Sequence, residues 1–326
     1  MITLAEAKTN MSDKVDIAVI DSFRRESSLL DMLRFDNAVS PGTGGSTLTY
    51  GYTMLKTPST AAFRKLNQEY VSNEAKREKK TTELKIFGGE FSIDRVIADT
   101  SGSLNEVQFQ LNEKVKAARN LFHYTVINGD ATAHEDEFDG LDVLLTDAST
   151  EYTEASHLDL STSSAIDANY KWFLDCLDEF LSGLSDKPAA LLANGKMISR
   201  IQGIARRCGY LTQSEDAFGR KVSGYNGIPL LDMGMYYNGS SSVDVVPLYE
   251  EIIESVKYSG LTDLYAVCLD EAGFHAISPA GGKIITTHLP DFSSAGVIKK
   301  GDVEMVAGVA LKDTRKAGVM RGIKIK

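Results

Sequence analysis

Leu121-Phe122-His123-Tyr124-Thr125-Val126-Ile127-Asn128-Gly129-Asp130, followed soon by Phe138-Asp139-Gly140-Leu141, is the stretch on which the fold turns. It closes an amphipathic run in which Val107, Leu111, Val115, Ala118, Phe122 and Val126 recur at steps of 4, 4, 3, 4 and 4, one face of an α-helix. The spacing predicts a helix over 105–127, roughly 35 Å long at about 1.5 Å per residue. Ser103 or Asn105 can cap its start, and Asn128-Gly129-Asp130 reads as a left-handed stop.

Upstream, two stretches read as extended. Leu48, Tyr50, Tyr52 and Met54 alternate with Thr49, Gly51 and Thr53 between Thr47 and Thr57, and a second run covers Glu83 to Ile93. The polar stretch from Pro58 to Thr82 has few apolar anchors, so the two strands predict a long protruding hairpin. Residues 1–36, with Val15, Val19, Phe23, Leu29, Leu30 and Leu33 in loose recurrence, read as an arm that leans on something else. Ala38 to Ser46 reads as a flexible connector.

Downstream, Asp167 to Leu184 predicts a second helix with Phe173, Leu177, Phe180 and Leu184 on one stripe. Ala189–Ala193 reads as a buried strand, and a third helix carries Met197, Ile201, Ile204 and Cys208. Further strands are expected at Ile228–Asp232, Leu264–Leu269, Phe274–Ile277, Lys283–Thr287, Val303–Lys312 and Val319–Ile325. The order is mixed α+β without βαβ alternation or an internal repeat.

Composition excludes several classes. With 326 residues the chain can bury a sizeable core. A net charge of -10 argues against general nucleic-acid binding. Cys176, Cys208 and Cys268 are too scattered for a disulfide framework and suit a reducing cytosol. The start lacks the basic and apolar regions of a signal peptide, and no apolar run approaches the roughly 20 residues that span a bilayer, so a soluble intracellular protein is expected. Charge is uneven: Lys56 to Arg95 holds nine bases and six acids, whereas Asp130 to Asp186 holds fifteen acids and one base, Lys171. Such asymmetry fits subunits meeting head to tail. For a single pair of segments, a solvated acidic face is the simpler account.

No motif for chemistry survives inspection. Pro41-Gly42-Thr43-Gly44-Gly45-Ser46-Thr47 lacks the lysine of a phosphate loop and reads as a hinge. Asn194-Gly195-Lys196 reads as an ordinary strand-to-helix turn, since Ala190 stands where a phosphate loop needs its first glycine. The acids of His134-Glu135-Asp136-Glu137-Phe138-Asp139-Gly140 are mostly consecutive and would splay rather than converge on a cation. His123, His134, His157, His275 and His288 form no zinc pattern, and His123 is expected to be packed or solvated. Cys268, near His275, sits in an apolar strand where cysteine acts as a small hydrophobe. No catalytic residue, cofactor site or metal site is expected.

The order of elements resembles the major capsid proteins of tailed phages, which share the Hong Kong phage-type capsid fold. The run 121–130 with 138–141 is similar to that family's spine-helix exit. Thr82 to Arg95 is similar to the return strand of its extended loop, and Ala189–Asn194 with Tyr225-Asn226-Gly227-Ile228-Pro229 to its axial domain. The resemblance implies an N-terminal arm (1–45), an extended loop (46–95), a peripheral domain with the spine helix (96–160), an axial domain (161–295) and returning C-terminal strands (296–326). It implies self-assembly into pentamers and hexamers of an icosahedral head in the host bacterial cytoplasm. It also implies a separate scaffolding protein if any, a portal, a decoration protein, and packaged double-stranded DNA held without sequence specificity, with no membrane partner. Lys56, Arg64, Lys65, Lys76, Arg77, Lys79 and Lys80 would then face a neighbour's acids, with Glu135, Asp136, Glu137 and Asp139 as candidates. Exposed pairs contribute about 0–1 kcal/mol each, so charge would set register while buried area supplies stability. Two alternatives stay open: an encapsulin-type compartment shell of the same fold, and a small-molecule-binding or hydrolytic α+β enzyme.

Overall fold

A computed structural model of the chain describes residues 2–3, 14–40, 44–57, 59–100, 106–209, 211–215, 219, 221–253, 255–280 and 284–326. The N-terminal part holds β1 (Ile2–Thr3), α1 (Lys14–Glu26), α2 (Ser28–Met32), β2 (Arg34–Ala38), β3 (Thr49–Thr57), β4 (Lys76–Glu83), β5 (Lys85–Asp94) and α3 (Arg95–Thr100). Then come α4 (Glu106–Asn128), α5 (Leu141–Leu145), β6 (Glu151–Tyr152), α6 (Ser163–Ser182), β7 (Ala190–Ala193) and α7 (Gly195–Cys208). Strands β8 (Leu211–Glu215), β9 (Lys221–Tyr225), β10 (Ile228–Asp232), β11 (Met235–Tyr237), β12 (Ser242–Asp244) and β13 (Tyr249–Ile253) follow. The chain closes with β14 (Val256–Val267), β15 (Phe274–Pro279), β16 (Ile285–His288), β17 (Ile298–Leu311) and β18 (Ala317–Lys324).

The expected long helix is α4. Leu111, Val115, Ala118, Phe122 and Val126 are all buried, as a stripe of that period requires. Its proposed caps, Ser103 and Asn105, lie outside the described residues, as do Pro41, Gly42 and Thr43 of the hinge reading. The helix exit differs from expectation. Gly129 does not take the left-handed conformation. It is glycine because the chain returns onto the helix end: a Cβ there would lie 2.2 Å from the Phe138 carbonyl oxygen. A Cβ on Gly140 would lie 2.6 Å from the carbonyl oxygens of Thr125 and Ile127. Gly140 N–H donates to Gly129 O at 2.8 Å, and Phe138 and Leu141 bury beside Phe122 and Ile127.

A six-stranded sheet in the order β1-β2-β15-β17-β16, with β5 also paired to β17, packs on α4. An eight-stranded sheet runs β6-β18-β14-β7-β10-β9-β8, with β13 paired to β14. Alternation along the inner strands divides its two faces. Leu192, Tyr265, Val267 and Val319 join the core built on α4, while Leu191, Leu264, Ala266 and Met320 join a second core under α6 and α7. Asn194 caps α7 by accepting from Met197 N–H at 2.9 Å, and its amide donates to Thr262 Oγ1 at 2.7 Å. A Cβ on Gly195 would lie 2.7 Å from an Asp232 carboxylate oxygen, so this turn already carries its own anion.

Four other expectations change. The return strand of the hairpin is β4, Lys76–Glu83, within the stretch read as loop; it pairs with β3 from Thr49↔Glu83 to Thr57↔Lys76. The run read as return strand, β5, instead pairs with β17 from Asp94↔Ile298 to Lys85↔Ala307. Strand β4 was invisible because its charged sequence buries neither face and so has no hydrophobic alternation. Residues 14–38 pack on their own chain: Val19, Ile20, Phe23, Leu29, Leu30, Leu33 and Phe35 are buried, and β2 runs parallel to β15. The two ends of the connector are held together, with Val39 and Ser46 bridged and Ser40 N–H bonded to Gly45 O at 2.7 Å. The strand expected from Lys283 is Ile285–His288, and Lys283 itself lies outside the described residues.

His123 joins α4 to the N-terminal helices. Its Nε2 lies 2.8 Å from Ser27 Oγ, and Ser27 in turn caps α2 by accepting from Leu30 N–H. Burial, with Arg119 one turn away, pushes its pKa down to about 4; Arg119 itself pairs with Glu26. The folded value lies below the ordinary 6.5, so the unfolded chain binds the extra proton between the two. The contribution is complete above about pH 6.5 and is lost as pH falls toward 4, about 2 kcal/mol of it by pH 5. Denaturant titrations at pH 7.5 and 5 should show that loss in the wild type and a smaller one in His123→Gln.

Candidate assembly surface

The hairpin of β3 and β4 forms its own two-stranded sheet. Strand pairing satisfies its backbone but gives it no core: Lys76, Arg77, Lys79 and Lys80 are exposed, and Lys79 and Lys80, as neighbours in a strand, point to opposite faces. Residues 59–75 link the strands without regular pairing. Arg64 braces this tip by donating to Gln68 O at 3.2 Å and lying 5.4 Å from the Tyr70 ring centroid. Lys65 is exposed beside it. Lys56 belongs to β3, but its side chain lies outside the described residues.

The tip also carries apolar side chains that sequence reasoning passed over. Phe63, Leu66, Tyr70 and Val71 all project into solvent, with Phe63 fully exposed. Their signal was four large apolar residues within nine of a polar stretch; they follow no helix or strand period. Exposed apolar side chains grouped on a projection mark an interaction site.

The root of the hairpin is anchored. Tyr50 Oη donates to Asp36 Oδ2 at 2.5 Å, its ring meets the His275 ring edge-on at 6.0 Å, and Lys312 Nζ lies 5.7 Å from its centroid. Burial, then the Asp36 carboxylate, pushes the Tyr50 pKa well up, so the phenol remains a donor. Tyr52 and Leu84 bury against Ile277 and Ala310. Tyr50→Phe should cost about 1–2 kcal/mol at this root, because the Asp36 carboxylate loses a donor. Faster hydrogen exchange confined to β3 and β4 would report it.

On the acidic side, Glu135 and Asp136 are exposed, whereas Glu137 and Asp139 help to fold their own loop. Asp139 Oδ1 accepts from Ala131 N–H at 3.0 Å, and Glu137 Oε2 accepts from Asp130 N–H at 3.4 Å. Among the described residues, no ion pair joins any of these four acids to the hairpin bases within the chain. Lys85, not among the expected contacts, reaches this loop: its Nζ donates to Glu135 O at 2.7 Å and pairs with Glu83 at 2.9 Å.

Cys268 is buried, and burial first, then Asp270, pushes its thiol up to about 11, so it is protonated at neutral pH. Among the described residues, no three His, Cys, Asp or Glu side chains group as a metal would require. Among the described residues, no helix is long and apolar enough to cross a membrane.

A protruding hairpin, a long spine helix and a second sheet capped by two helices define the Hong Kong phage-type capsid fold. No family model matches the sequence, and no curated protein does. Solved structures do. The holo-SrpI encapsulin complex from Synechococcus elongatus PCC 7942 is similar at a TM-score of 0.60 and 14% identity, over 90% of this chain and 86% of that one. A structure from Mycobacterium phage Bobi matches at 0.58 and 13% identity, over 92% and 91%. The capsid of Myoviridae phage XM1 matches at 0.51 and 9% identity, over 89% and 90%.

Proposed function

We propose that the chain is the major capsid protein of a tailed double-stranded DNA phage, a subunit that works by self-assembly and not by catalysis. The hairpin carries this reading. It projects charged strands and an apolar tip that its own chain leaves uncovered, in a fold similar to those of shell-forming subunits. Laid on a neighbouring copy, the tip buries Phe63, Leu66, Tyr70 and Val71, and the bases of β4 meet the exposed acids Glu135 and Asp136. Such head-to-tail contacts make closed rings when the rotation closes, here pentamers and hexamers.

In this reading residues 96–160 form a peripheral domain, 161–295 an axial domain and 296–326 strands that return to them. Residues 1–45 act as an arm whose segment 14–38 is tied into its own subunit. Shells assemble in the host cytoplasm with a portal and any separate scaffolding or decoration protein, and enclose DNA without reading its sequence. Light scattering after size exclusion, followed by negative-stain microscopy, tests it: megadalton particles are expected, and a small discrete oligomer with a ligand-filled pocket would sink it. The similarity to the SrpI encapsulin favours a second reading, a compartment shell with protein cargo. Neighbouring genes separate the two, portal and terminase against a cargo enzyme.

A further inference from the structure

The eight-stranded sheet carries α6 and α7 on one face, and these helices are opposite in charge. α6 lies toward the β6–β18 edge, where Glu179 accepts from Tyr152 Oη at 2.7 Å and Phe180 approaches Gly318. α7 lies over β8, β9 and β10 at the other end of the sheet. Ile166, Phe173, Cys176, Leu177 and Phe180 hold α6 to the core, which turns Asp167, Trp172, Asp175, Asp178 and Glu179 outward. Met197, Ile198, Ile201, Ile204 and Ala205 hold α7 down, which turns Lys196, Arg206 and Arg207 outward. α6 contains four acids and one base; α7 contains four bases and no acid.

Trp172 is the chain's only tryptophan, yet it is 52% exposed in the middle of the acidic face, on one stripe with Asp175 and Glu179. Some of the α7 charge is engaged internally. Arg200 donates to Ser161 O, and Arg207 pairs with Asp167 at 3.2 Å. Lys196 stands 3.8 Å from Asp244, a loose contact, and Arg206 has no ion pair among the described residues. Arg206 borders an open groove of about 480 Å³ beside the start of α6.

We propose that the Trp172 face of α6 docks on the Arg206 face of α7 in a second copy of this chain; the inference rests on the shell-subunit reading. The two faces are different surfaces of one subunit, carried by helices that touch through Arg207 and Asp167, so the contact between copies is heterologous and repeats around a ring. Trp172 supplies the desolvated anchor, the Arg206 guanidinium lies over its indole, and Asp175 and Glu179 meet Arg206 and Lys196 at the rim. Desolvation strengthens the cation–π contact, while the rim charges fix which copy edge meets which.

A single tryptophan makes the test direct. In assembled wild-type particles, Trp172 emission should shift to the blue and acrylamide quenching should fall several-fold relative to Arg206→Glu subunits. Trp172→Ala, Arg206→Glu and Asp175→Arg should each raise the concentration needed for assembly by at least about tenfold. The Arg206→Glu/Asp175→Arg pair should recover part of that loss. Particles in which Trp172 stays as quenchable as in free subunits would overturn this contact and leave the shell reading standing. A wild-type chain that forms no large particle overturns both.

Discussion

Gly140→Val should yield almost no soluble protein, and Gly129→Val should do the same. At both positions the new side chain would start 2.2–2.6 Å from backbone carbonyl oxygens, which cannot swing aside as the end of a lysine can. Relief requires parting the α4 exit from the 138–141 return, which uncovers Phe138, Leu141 and Ile127 and breaks the Gly140–Gly129 hydrogen bond. Overpacking plus lost burial of this kind costs on the order of 4 kcal/mol, a large share of a domain's stability. Soluble yield and denaturant midpoint measure it. Gly203→Val is the matched control, since a Cβ there has open space around it and only helix propensity changes. Equal yields from Gly140→Val and Gly203→Val would refute the backbone-contact explanation.

The second large effect separates folding from assembly. Reversing charge at Lys79 and Lys80 should leave the subunit's melting within about 0.5 kcal/mol of wild type, because both side chains are exposed. It should abolish particles, because both faces of the projecting sheet change sign. Replacing Phe63, Leu66 and Val71 by serine should have the same double outcome by removing the apolar tip. Microscopy reads the particles and circular dichroism the fold. Normal particles from both variants would mean that the hairpin does not dock on a neighbour.

Much of this architecture was legible in sequence where one face of an element is buried. The α4 stripe, the α6 stripe and the apolar run Ala190–Ala193 each announced an element because burial imposes a period. Strand β4 did not, since a two-stranded sheet in solvent places no demand on Lys76 to Glu83. Gly129 was recognised as a stop, but its reason is a carbonyl supplied from nine residues later, which no local rule contains. The buried N-terminal residues were seen as apolar; their partner strand β15 lies some 240 residues away, beyond any local pattern. The basic residues of the candidate surface stood out in sequence as a charged group, whereas Lys85 and the apolar tip required a view of what the folded chain leaves uncovered.

The hairpin also has a mechanical consequence. Strand β4 passes through the single residue Leu84 into β5, and β5 is laced to β17 by ten successive residue pairs. A pull on the tip therefore enters the body along a strand, loading many cross-strand bonds together instead of unzipping them one at a time. If a second copy holds the tip, as the proposed assembly requires, the projection would behave as a tether whose anchor is stiffer than its free end.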